Sequence, residues 1–230
     1  MFGPIRSLYS IRPNAPLAVL TGVASVTLMF GATPFHIAEI ADRFGVSEGV
    51  AGGISVVQVG AFALVNVVAP RIAAPSGRVL RWSAWAFFAL NLLSVLAGAF
   101  WLLVIIRLFA GAAAGAITWI AWADAMREPR ALTSVSAMGP VIAMVGAPLV
   151  SVTATWGDRA IFGLLAAATI PAVLARLHTE GDVRRRRAVS RSRSNRVLLA
   201  ALFLLTFFGS SLCVYASVAA KATLGLCAVA

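Results

Sequence analysis

Arg107, Gly111 and Gly115 stand at four-residue steps in an otherwise apolar run over residues 101–125. A guanidinium at that depth costs at least about 2.5 kcal/mol on insertion scales, so an intramembrane arginine faces a protein interior or a watery cavity and marks a functional pathway. It could orient an anionic substrate there or respond to a coupled proton. The two glycines fall on nearly one helical face, drifting by about 40° per four residues, and remove bulk where a second helix can approach. A plainer reading keeps the glycines as packing and lets Arg107 snorkel outward. Gln58, Asn66 and Asn91 lie inside other apolar runs. Each amide needs partners in lipid and should therefore face neighbouring helices or a cavity. His36 and Glu39, one turn apart near the outer end of the first run, could handle a proton at an outer mouth, although an interfacial histidine is more often simply solvated or hydrogen-bonded. A membrane-embedded enzyme would need paired His, Asp or Glu side chains within the helices. Arg107 is the only ionisable group well inside one, and Asp124 lies at a helix end, so no catalytic, metal or cofactor site is expected.

The elements that would position these residues follow from composition. Of 230 residues, 60% are hydrophobic and 12% charged, outside the range of soluble globular chains. The expected class is an all-α polytopic membrane protein in a bacterial-type inner or plasma membrane. A net charge of +11 would suggest nucleic acid in a soluble chain; here the basic residues sort by membrane side, and no nucleic-acid partner is expected. The Arg/Ser alternation over residues 190–194 lies between spanning helices and reads as a cytoplasmic linker on anionic lipid. Cys213 and Cys227 fall in or just after the last apolar run and read as small apolar residues rather than a disulfide.

Hydropathy predicts seven helices, over about 17–37, 50–69, 82–99, 101–125, 132–154, 160–177 and 197–216. Pro34 should kink the outer end of the first, and Ser47 should cap the second, with Glu48 at its positive dipole end. Pro70 and Pro75 are expected to break the chain into a basic loop over 71–81. Gly139-Pro140 and Gly146-Ala147-Pro148 should bend the fifth helix and let packed helices rock. This divides the chain into a bundle (1–177), a basic linker (178–196) and a seventh helix with the start of further sequence (197–230). With the N-terminus inside, fifteen of the nineteen basic residues fall on the cytoplasmic side and only Arg43, Arg159 and Lys221 outside. That asymmetry fixes the expected topology as N-terminus cytoplasmic.

Six helices, a basic linker and a seventh helix resemble the first half of a major facilitator superfamily transporter. Arg107-Leu-Phe-Ala-Gly111-Ala-Ala-Ala-Gly115 looks like its fourth-helix motif, and Phe44-Gly45-Val46-Ser47 with Ala51-Gly52 resembles its first outer loop. Gly146-Ala147-Pro148-Leu149 followed by Trp156-Gly157-Asp158-Arg159-Ala160-Ile161-Phe162 is similar to a pattern of the sugar-efflux and drug-proton antiporter branch, such as arabinose efflux permeases. The second cytoplasmic loop keeps only Gly77-Arg78 and Arg81 of the usual pattern, with Ala73-Ala74-Pro75 where an acid would stand, and Met29 and Phe30 replace the acid that often precedes the first-helix proline. The resemblance implies a proton-driven exporter of small molecules. Such a fold needs two six-helix halves, so the chain is expected to be a truncated product that pairs with a missing C-terminal half. A non-transporting membrane protein, or a half-transporter subunit needing a partner chain, is the alternative.

Overall fold

Ser47 and Ser76 each turn an extended residue into a helix start. The Ser47 hydroxyl accepts from the Val50 amide and the Ser76 hydroxyl from the Val79 amide, supplying partners for otherwise orphaned donors. At the other end of the first helix Gly45 takes a left-handed conformation at φ 64° and returns its amide to the Ala41 carbonyl. In the computed structural model, which describes residues 15–126 and 128–175, such signals bound six helices: α1 (Leu17–Phe44), α2 (Glu48–Ile72), α3 (Gly77–Leu96), α4 (Phe100–Ala125), α5 (Pro129–Ala154) and α6 (Asp158–Leu174). No strand occurs among the described residues. The five helices α1–α5 are each long and apolar enough to cross a membrane, and α6, at 17 residues, lies at the short end of the spanning range. The linker (178–196) and seventh helix expected from sequence lie outside the described residues.

Several boundaries differ from expectation, each for a physical reason. α1 continues through Pro34 for ten more residues, so Glu39, Asp42 and Arg43 belong to its last turns rather than to a loop. α2 likewise runs through Pro70 to Ile72. A proline removes one donor, but a helix in an apolar environment keeps every other backbone bond because nothing else can satisfy those groups. The basic loop expected over 71–81 shrinks to four residues, and Arg78 and Arg81 stand in the first turns of α3.

Connections of three or four residues separate successive helices. α1 and α4 form the centre and are the most buried, while α2, α3 and α5 turn most of their residues outward. The packing has an internal exchange. Swapping α1 with α4, α2 with α5 and α3 with α6 maps the α1–α5 contact onto α4–α2, α1–α6 onto α4–α3, and α1–α2 onto α4–α5. The α1–α4 and α3–α6 contacts map onto themselves; α5–α6 alone lacks a counterpart of similar extent. Because short connections alternate the direction of successive helices, a shift of three helices reverses direction, so the contact patterns of α1–α3 and α4–α6 are related by an inverted exchange.

Small residues set how closely these helices approach. A Cβ added to Gly115 would stand 2.7 Å from the Phe62 carbonyl oxygen, and one added to Gly111 would stand 2.9 Å from the Gln58 carbonyl carbon, so α4 touches the α2 backbone itself. On the opposite side a Cβ on Gly146 of α5 would meet the Leu28 side chain of α1 at 2.6 Å. A hydrogen bond from the Ser25 hydroxyl to the Ala168 carbonyl, 2.8 Å, ties α1 to α6.

Candidate functional site

Arg107 lies eight positions into α4 with no exposed surface. Its Nε donates to Oε1 of Gln58 on α2 and its Nη1 to Oδ1 of Asn91 on α3, both at 2.7 Å. Asn91 spends its own amide on the Phe87 carbonyl of the preceding turn at 2.9 Å, which leaves Oδ1 aimed at the guanidinium. The guanidinium carbon also lies 5.1 Å from the ring centroid of Phe162 on α6, within cation–π range. His36 of α1 also approaches that ring, 5.5 Å between centroids. Side chains of four helices, α1, α2, α3 and α6, thus gather around one buried cationic group on α4. Among the described residues, Arg107 has no carboxylate partner, and its Nη2 and the Nδ1 of His36 are buried without a hydrogen-bond partner.

A second arrangement closes the same end of the bundle. Arg43, in the last turn of α1, donates from Nη1 to Asp158 Oδ2 at 2.6 Å and from Nη2 to the Ala97 carbonyl beyond α3, with its guanidinium carbon 4.7 Å from the Phe44 ring. Asp158 occupies the first turn of α6, where the helix dipole favours a negative charge, just after Gly157 turns the chain at φ 89°. α1, α3 and α6 are thereby pinned together at one point.

The open space lies elsewhere. A cleft of about 300 Å³ opens between α1, α2, α4 and α5. Its described walls carry three hydroxyl residues, Thr27, Thr118 and Ser136, and three rings, Phe30, Phe62 and Trp122, with no charged group. Phe30 and Phe62 meet edge to face at 5.0 Å between centroids, so α1 and α2 share one aromatic wall. Thr118 is eleven residues beyond Arg107, a rise of about 16 Å along α4. The polar cluster and the cleft therefore occupy different levels of the bundle.

The structure separates the residues singled out from sequence into distinct groups. Arg107, Gln58, Asn91 and His36 are brought together; His36 is enclosed in the bundle rather than placed at an outer mouth. Asn66 is half-buried and donates to the Phe62 carbonyl of its own helix at 2.9 Å, away from the cluster. Glu39 is half-buried, one turn beyond His36. Gly139 lines the cleft, with nothing within 4 Å of an added Cβ, whereas Pro140 and Pro148 face outward. Gly77 begins α3, and Arg78 is exposed beside it.

Comparison with known proteins leaves the residues to speak for themselves. No family model matches the chain, and no curated protein or solved structure matches it. Sequence reasoning missed the cleft hydroxyls and Trp122, and it met Phe162 only as the last residue of a resemblance motif. Threonine, serine and aromatic residues inside apolar helices carry no distinguishing signal until the helices are packed.

Proposed function

We propose that this bundle is one half of a secondary transporter of the major facilitator type that exports small molecules, with a proton gradient as the driving force. The observation that carries the reading is the cleft between α1, α2, α4 and α5, set between three-helix units whose contact patterns are related by an inverted exchange. Transporters of this kind bind substrate near the bilayer midplane, between bundles built from inverted repeats, and alternate access by rocking one bundle against the other. Thr27, Thr118 and Ser136 would orient a substrate through their hydroxyls while Phe30, Phe62 and Trp122 cover its apolar faces. The Arg107 cluster, at another level of α4, would hold α2, α3 and α6 in fixed register with α4 while the cleft opens and closes.

The test is flux through proteoliposomes. Joined to a matching second six-helix half, the chain should drive export under an imposed proton gradient, and Trp122→Ala should slow it at least about tenfold by removing the largest ring of the wall. Residues 1–230 reconstituted alone should show no flux, because alternating access takes two bundles. Correctly inserted, joined protein with flux no greater than empty vesicles would overturn the proposal.

A further inference from the structure

α3 carries a surface that the transport reading leaves unused. Its inward face holds Leu80, Ala84, Phe87 and Asn91. Its outward face borders an open space of about 540 Å³ whose described lining is Arg81, Trp82, Trp85, Ala86 and Ala89. At about 100° per residue these positions span roughly 140° of the helix, and Arg78, one turn earlier, falls in the middle of the same arc. Trp82 is 74% exposed and Trp85 46%. Trp85 is braced by Phe88, edge to face at 6.0 Å, so its indole stands out from the helix as a fixed wall. Ala86 and Ala89 end at Cβ and leave the floor between the rings low.

We infer that this surface binds an anionic phospholipid of the bilayer, with the headgroup phosphate on Arg81 and Arg78 and one acyl chain laid between Trp82 and Trp85 over Ala86 and Ala89. The order of chemistry along α3 fits one lipid molecule read from head to tail. The guanidinium groups come first, at the helix N-terminus, where Gly77 and Arg78 follow the Ser76 cap. A phosphate there gains planar donors and the positive end of the helix dipole. The indoles come next, and tryptophan suits headgroup depth because its ring is apolar and its N–H still needs a polar partner. The alanine floor lies deeper, where only hydrocarbon is available. The headgroup is anionic because both arginines are exposed and, among the described residues, neither forms an ion pair. A zwitterionic lipid would bring an ammonium to a surface that is already positive. The side is consistent with the charge asymmetry, which places this end of α3 at the cytoplasmic leaflet.

Tryptophan quenching by lipids brominated near the top of the acyl chain tests the site. In nanodiscs of fixed phosphatidylglycerol and phosphatidylcholine content, bromine is placed on one lipid or the other. The fluorescence due to Trp82 and Trp85 is obtained by difference from a Trp82→Phe/Trp85→Phe variant. Their quenching per brominated lipid should be at least about twofold greater when phosphatidylglycerol carries the bromine. Arg78→Gln/Arg81→Gln should bring the two lipids level, quenching by brominated phosphatidylglycerol falling as that by brominated phosphatidylcholine rises to meet it. Both arginines are exposed, so the variant keeps its fold. Equal quenching by the two lipids in the unmodified protein would show ordinary annular lipid and overturn the inference. So would a preference for phosphatidylglycerol that survives loss of both arginines.

Discussion

The Gln58 backbone lies directly against Gly111, one turn from Arg107, and the side chain of the same glutamine accepts a hydrogen bond from Arg107 Nε at 2.7 Å. Close approach and polar recognition are thus one contact. α2 can deliver its amide to the guanidinium because α4 has no side chain at Gly111 to hold it off. Gly115 repeats the approach one turn on, against Phe62, whose ring also walls the cleft. The seam therefore couples the position of the polar cluster to the shape of the open space.

Gly111→Ala tests that coupling directly. Its methyl group would overlap backbone, which cannot rotate away, so α2 must shift, at a cost of about 1–3 kcal/mol. Folded yield and thermal stability in detergent should fall, and Gly111→Leu should prevent folding. Gly139→Ala, where the added group meets nothing within 4 Å, should leave both unchanged. Equal stability of the two alanine variants would show that α2 and α4 do not touch at this seam.

The cost of the buried charge separates in a mutant cycle. Gln58→Leu deprives Arg107 of its Nε acceptor in a site without exposed surface, and losing a hydrogen bond to a buried charged group costs about 1.5–3 kcal/mol. Arg107→Met removes the charge together with its need for partners and should cost less. With Arg107→Met in place, Gln58→Leu should cost little more, giving a coupling of about 2 kcal/mol or above. Additive effects on thermal unfolding in detergent would mean that the 2.7 Å contact contributes no stability.

Arg107 shows how far sequence alone reached. An arginine, two glycines and the amides Gln58 and Asn91 inside apolar runs announced buried polar groups in search of partners, and hydropathy placed helices in all six positions. What sequence could not supply was their meeting, because the partners come from α2 and α3 through contacts 49 and 16 residues apart. Asn66 carried the same signal as Gln58 and turned out to bond its own helix. Pro34 read as a kink near a helix end and Pro70 as a helix break by the rules of soluble proteins, which overrate a proline where water cannot compete for the backbone. Trp122 was indistinguishable from other apolar residues, and Phe162 stood only as the end of a motif, until packing put one on the cleft and the other against a guanidinium.

Arg43 offers a last test, because one side chain holds three helices. Its two nitrogens reach Asp158 on α6 and the Ala97 carbonyl past the end of α3, and both side chains of the ion pair are largely buried, at 13% and 6% exposure. An exposed pair would contribute at most about 1 kcal/mol and fade with salt. This one is screened less, and charge-assisted hydrogen bonds of this kind contribute about 1.5–3 kcal/mol each. Asp158→Ala should therefore lower thermal stability by that order in low and high salt alike, and should speed amide exchange in the last turn of α1 and the first turn of α6. Asp158→Asn, which keeps an acceptor but loses the charge, should fall between the two. Arg43→Lys should behave nearly as badly as alanine, since one ammonium cannot replace the fork that reaches two acceptors on different helices. A lysine variant with unmodified stability would show that charge alone joins α1 to α6, and that the Ala97 carbonyl adds nothing to the closure.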